Sequence, residues 1–212
     1  MTSLYDTFNS SIHAISQSLL MPVLAILVIF FIYTLINLGI LLSEYYQRRK
    51  LNYDVKKLIS QLMVVKNNDK PAEIRRIISE GQIPLSHKEV LTTLVESSTQ
   101  SQEFRESLAI KIVEDEGIYA AKKLERTDII AKIGPALGLM GTLIPLGPGL
   151  TALGEGNIQS LAQHLLIAFD STVLGMASAA IAFTISKIRR RWYEDEISNL
   201  ETLVDTILEI LK

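Results

Sequence analysis

The stretch from Ile129 to Leu153 reads IIAKIGPALGLMGTLIPLGPGLTAL, and its one charged side chain is Lys132. At ~1.5 Å per helical residue a run of this length exceeds the ~30 Å hydrocarbon core of a bilayer. Lys132 stands in the first turn, where its stem can carry the ammonium to the membrane surface. Gly134, Pro135, Gly138, Gly141, Pro145, Gly147, Pro148 and Gly149 would break a helix in water. Inside a membrane bundle neighbouring groups re-satisfy the backbone that they free, so the run predicts a span and not a soluble helix.

Two further runs share this character. Past the turn-forming Gly154-Glu155-Gly156-Asn157, residues 161–188 are apolar with one acid, Asp170. Upstream, residues 19–42 are interrupted only by Pro22, Thr34, Asn37 and Gly39. No Lys or Arg precedes this run and no small-residue cleavage site follows, so it is expected to stay as an anchor and not to be removed as a signal peptide.

All 21 Lys and Arg fall within 48–132 or 187–212. Arg48, Arg49 and Lys50 close the first run, Lys122, Lys123 and Arg126 precede the second, and Lys187, Arg189, Arg190 and Arg191 close the third. The positive-inside bias then places the N-terminus outside and the C-terminus inside. The expected layout is an all-α integral membrane protein with three transmembrane helices. Its parts are an extracytoplasmic N-terminus (1–18), spans at 19–42, 129–153 and 161–188, a cytoplasmic helical domain (43–128), an extracytoplasmic hairpin (154–160) and a cytoplasmic C-terminal helix (189–212).

Composition removes several classes of function. The net charge of −2 lacks the basic excess of a nucleic-acid binder, and the absence of cysteine excludes disulfides, thiolate zinc and thiol catalysis. His13, His87 and His164 are scattered without metal-ligand spacing, and no nucleophile motif is present, so neither a metal, a cofactor nor an enzymatic activity is expected. The Gly147-Pro-Gly149 and Gly154-Glu-Gly156 cluster has no preceding strand and no following Lys. It reads as a membrane-edge turn, not a phosphate site.

The cytoplasmic stretches show helical periodicity. Pro71 opens a segment that Gly81 ends, with Ile74, Ile77 and Ile78 on one face. Pro84 precedes another running to about Glu116 and marked by Val90, Leu94, Phe104, Leu108 and Ile112. After the third span Tyr193, Ile197, Leu200, Val204, Ile207 and Leu211 form a seam at heptad spacing, suited either to a helix at 43–66 or to another subunit.

Lipid offers no hydrophobic drive for helix association, so closely packed spans carry small residues at intervals of four. Gly134, Gly138, Thr142, Pro145 and Gly149 lie along one side of the second span, and Ser171, Gly175, Ser178, Ala179, Ala182 and Ser186 along one side of the third. The first span lacks this pattern and is expected to face lipid. Asp170 is a candidate for function because a carboxyl at membrane depth is costly, by ~2.5 kcal/mol or more. A helix–helix hydrogen bond is its structural alternative. Thr142 alone would read as a backbone-bonded side chain.

The segment Gly138-Leu-Met-Gly-Thr142-Leu, with Ala168-Phe-Asp170-Ser-Thr172-Val-Leu-Gly175-Met-Ala after it, resembles the MotA/TolQ/ExbB proton channel family, closest to the ExbB/TolQ branch. The order of spans, loop and hairpin is similar as well. The resemblance implies a homopentamer in the inner (plasma) membrane enclosing a dimer of a single-span ExbD/TolR/MotB-like protein, whose intramembrane aspartate takes up the ion. It implies that Thr142 and Thr172 line the channel facing that acid, with Asp170 and Ser171 beside them. Gly134, Gly138, Gly149, Gly175, Ala179 and Ala182 would pack the helices. One departure is that Ile167 stands where transport members carry a glutamate. The implied function is the channel subunit of an ion-driven motor. The alternative is a non-conducting membrane scaffold, and the basic clusters are expected to set topology and touch anionic lipid.

Overall fold

The computed structural model describes residues 2–50, 55–64, 70–81 and 83–212, and among them every regular element is helical. The helices are α1 (Thr2–Ser18), α2 (Leu20–Lys50), α3 (Val55–Met63), α4 (Lys70–Glu80), α5 (Leu85–Glu96), α6 (Gln102–Gly154) and α7 (Ile158–Ile210). Ser97–Thr99 form a short 3-10 turn between α5 and α6. Three helical stretches are long and apolar enough to cross a membrane, Ser10–Arg49, Gln102–Gly154 and Ile158–Ile210. They contain the three apolar runs seen in the sequence. The chain divides into two compact units, Met1–Leu42 with Glu125–Lys187 and Ser43–Leu124 with Ile188–Lys212.

In the first unit α2 turns one stripe inward. Val23, Leu27, Thr34, Asn37 and Leu41 are buried, while Ile26, Ile29, Ile32, Ile36 and Ile40 are exposed. The polar members of the stripe are satisfied locally, Thr34 Oγ1 donating to Phe31 O at 2.8 Å and Asn37 Nδ2 to Tyr33 O at 2.9 Å. Val23 and Leu27 pack with Ile144 of α6. The face that the sequence assigns to lipid is therefore broad, but it is not the whole helix.

α6 continues through Pro135, Pro145 and Pro148. A proline has no N–H, so the carbonyls of Ala131, Gly141 and Ile144, four residues earlier, lose their helical donor. For Ile144 a replacement comes from outside the helix, since Gln17 Nε2 of α1 donates to its carbonyl at 3.2 Å. This is the backbone repair that membrane helices require.

The second unit has its own core. Leu58 and Leu62 of α3, Ile74 and Ile78 of α4, and Leu91, Leu94 and Val95 of α5 pack with Ala109 of α6 and with Leu200, Leu203, Val204 and Ile207 of α7. The C-terminal seam thus finds its partners within the chain, on α3 to α6. Of the helix expected at 43–66, residues 51–54 and 65–66 lie outside the described residues, and the rest is divided between α2 and α3. Two carbonyls at the end of α7 receive cationic donors, Arg105 Nη1 to Leu211 O at 2.8 Å and Lys70 Nζ to Ile210 O at 2.9 Å. Such donors satisfy the carbonyl groups a helix end leaves open.

The helix expected from Pro84 to about Glu116 is instead divided at Ser97–Ser101. The hydroxyls there compete with helical backbone bonding: Ser97 Oγ donates to Leu94 O at 2.7 Å, and Ser101 Oγ accepts the Phe104 N–H at 3.3 Å to cap α6. The restart changes the phase of the pattern. Phe104, expected on the apolar face, is exposed, and Arg105 and Ala109 are buried in its stead.

His87 of α5 is buried in this unit, and its Nδ1 has no hydrogen-bond partner among the described residues. Burial lowers its pKa below the usual 6.5, opposed by the charges of Glu196 and Glu116. Arg189 makes a two-pronged pair with Glu44, Nε to Oε2 at 3.0 Å and Nη2 to Oε1 at 3.1 Å.

Candidate functional site

The sequence brings its small residues to one place, the line where α6 and α7 pass each other in the first unit. The helices run antiparallel there and their backbones meet at glycine. A Cβ built on Gly175 would lie 2.8 Å from both Gly134 O and Gly138 Cα, which is closer than real side chains come. One on Gly134 would lie 3.2 Å from Ala179 Cβ, and one on Gly138 would lie 3.4 Å from Gly175 Cα and 3.6 Å from Thr172 Cα. Further along, Gly149 faces His164, whose Cβ is 3.3 Å from the added atom. Ala179 and Ala182 are buried on the same side of α7. Close approach of this kind replaces side-chain packing with backbone dispersion and weak Cα–H···O contacts.

Thr172 stands one turn from Gly175, beside Gly138, and Thr142 stands one turn past Gly138 on α6. Both are partly buried. Thr142 Oγ1 donates to Leu139 O at 2.7 Å and Thr172 Oγ1 to Ala168 O at 3.1 Å. Each hydroxyl hydrogen is therefore held by its own helix, and what remains for a visitor is a pair of oxygen lone pairs.

Asp170 lies on the exposed side of α7, among Leu166, Phe169 and Val173, which are exposed as well. It is not brought onto the α6 seam. Ser171, grouped with the pathway residues by sequence, is fully buried against α6 and donates to Ala168 O at 2.8 Å. Ile167 is partly buried. Among the described residues no three His, Cys, Asp or Glu side chains gather as a metal site would need.

Three contributors, Gly141, Gln17 and Asp128, escaped the sequence pattern. Gly141 is the tightest point against α7, where a Cβ would meet Ser171 Cβ at 2.5 Å, and it touches α2 through Leu27 Cδ1 at 3.6 Å. Its offset from Gly138 by three residues, not four, was a legible signal, because both spacings fall on one side of a helix. Gln17 reaches Ile144, a contact that only the register of Pro148 could have hinted at. At the other end of the pair Ser186 Oγ donates to Asp128 Oδ1, tying α7 to α6 where the apolar runs end.

With this geometry in hand, the comparison with known families is decisive. The model of the MotA/TolQ/ExbB proton channel family matches residues 76–202, more than half of the chain. The chain belongs to this family. The match begins within α4, takes in both helices of the glycine-packed pair, and ends within α7. Membership in the MotA/TolQ/ExbB family makes the chain a multi-pass membrane protein related to the channel subunits of energy-transducing complexes, which work with partner proteins in the membrane. No curated protein matches the chain.

Proposed function

We propose that this chain is the channel subunit of an ion-driven rotary motor, the proton being the first candidate ion. Five copies enclose a dimer of a single-span ExbD/TolR/MotB-like partner in the inner membrane, with the N-terminus outside and the C-terminus inside. The distribution of Lys and Arg supports the orientation. The observation that carries the reading is the pair Thr142 and Thr172, set beside a backbone-to-backbone helix contact and offering only acceptors.

Acceptors of this kind discriminate between the two states of a carboxyl group. A protonated partner acid can donate its O–H to a threonine oxygen, whereas a carboxylate finds no donor there and meets Leu139, Leu143, Val173 and Met176 on the exposed sides of the two helices. Uptake of an ion then lets the partner's acid pass a wall that its charged form cannot, and each transfer permits one rotational step. The work available per charge is ~2.3 kcal/mol per 100 mV.

Native mass spectrometry of the gently extracted complex tests the assembly. Five copies with two of a single-span protein bearing an intramembrane aspartate support the motor, and a homo-oligomer without such a partner moves the assignment to a scaffold. Thr172→Val tests the chemistry at nearly constant shape. A lost hydrogen bond of about 1–2 kcal/mol lowers driven output by roughly five- to thirtyfold while assembly persists. Normal output from that variant would take Thr172 out of the pathway.

A further inference from the structure

α1 and Leu19 just after it carry a side that none of the described residues covers. Phe8, Ile12, Ile15 and Leu19 are 67%, 50%, 62% and 42% exposed, and their steps of four, three and four put them in one line. The same line continues along α2 through Ile26, Ile29, Ile36 and Ile40, all exposed. An apolar strip of this length is not left to water.

Its depth follows from what the opposite side of α1 touches. Gln17 holds the Ile144 carbonyl, and Gln17 and His13 each come within 3.8 Å of a Cβ built on Gly147. Ile144 and Gly147 lie inside the apolar run 129–153, with Pro148–Leu153 still to follow, ~9 Å of helix at ~1.5 Å per residue. α1 runs antiparallel to that segment. Moving ~9 Å from His13 in the same direction reaches about Thr7. Phe8, Ile12 and Ile15 thus lie level with the last apolar turns of the second span and not beyond them.

The polar groups agree with this depth. No Asp, Glu, Lys or Arg occurs between Asp6 and Glu44. Ser10 and Ser11 both donate to Thr7 O, at 2.9 and 2.8 Å, and Ser18 donates to Ile15 O at 2.7 Å, so these hydroxyls need no water.

We propose that α1 is a membrane-embedded continuation of the first span, with the line Phe8–Ile12–Ile15–Leu19 set against lipid acyl chains beside the C-terminal end of the second span, and not an aqueous terminus. The inference rests on α2 and α6 spanning a bilayer and is independent of whether an ion passes between subunits.

The chain has no cysteine, so single spin labels can be introduced without other changes. Phe8→Cys, Ser10→Cys, Ile12→Cys, Ala14→Cys and Ile15→Cys are labelled in the assembled complex in bilayers, and collision with oxygen is compared with collision with a water-soluble nickel chelate. The expected result is an oxygen-to-nickel ratio several-fold higher at 8, 12 and 15 than at 10 and 14. Free access of nickel at 12 and 15 would overturn the proposal in favour of water. Immobile labels reached by neither agent would overturn it in favour of a protein neighbour, a second copy or the partner. As a check that needs no label, Ile12→Asp should lower the yield of membrane-inserted protein several-fold and Ser10→Asp should not. Equal yields would count against lipid contact.

Discussion

Gly175→Ala adds a single methyl group at the tightest backbone crossing in the membrane unit. The added carbon would lie 2.8 Å from Gly138 Cα and Gly134 O and 3.1 Å from Gly138 N, all of them backbone atoms that no rotamer change can move. Ordinary carbon–carbon contact is ~3.5–4.0 Å, so α6 and α7 must separate by about 1 Å. A gap of that size forfeits roughly a quarter to a half of the dispersion well for the atoms along the seam. Overpacking of this kind costs about 1–3 kcal/mol, a factor of roughly 5 to 150 in the folded-to-unfolded ratio. Reversible unfolding of the purified complex in mixed micelles measures it. Gly117→Ala, in α6 but with open space around the added carbon, is the control and should be neutral or stabilising by about 0.5–1 kcal/mol. If Gly175→Ala were as stable as Gly117→Ala, the crossing would not be where the structure puts it and the acceptor positions of Thr142 and Thr172 would lose their basis.

Gln17→Leu should destabilise by about 1 kcal/mol by removing the donor to Ile144 O, and the loss should shrink in a Pro148→Ala background, where the substitution restores the helical N–H; equal losses in both backgrounds would argue against the bond. His87 is held below its ordinary pKa by burial, so the unfolded chain takes up a proton that the folded chain refuses as pH falls through about 6.5. Stability of the unit formed by Ser43–Leu124 and Ile188–Lys212 should therefore decline below that pH and hold above it, and His87→Leu should flatten the slope in melting curves taken from pH 8 to 5.5.

The parts of the fold that could be read in advance are those where one physical requirement acts alone. A bilayer demands length and apolarity, and 19–42, 129–153 and 161–188 show both. Close helix approach demands small residues at fixed spacing, and Gly134, Gly138 and Gly175 show that. What stayed hidden involved competition between weak local terms or contacts set in three dimensions. Ser97–Ser101 outcompeted a helix pattern that looked continuous, and this re-phased Phe104. Ser171 shares its spacing with residues on either side of the helix pair, so its full burial against α6 could not be read from the pattern. The line Phe8–Ile12–Ile15 begins before the long apolar run and is diluted by serines, so average hydropathy conceals it.

The prolines of α6 have a mechanical consequence. Pro145 and Pro148 remove two backbone rungs three residues apart, and among the described residues only the second is replaced by a side chain from elsewhere, that of Gln17. A helix with missing rungs bends more easily than an intact one. The last third of α6 is therefore a compliant section whose stiffness depends on α1. A force that draws α1 sideways loosens the Gln17 bond, so the flexural give of the segment beyond Thr142 is adjustable from α1.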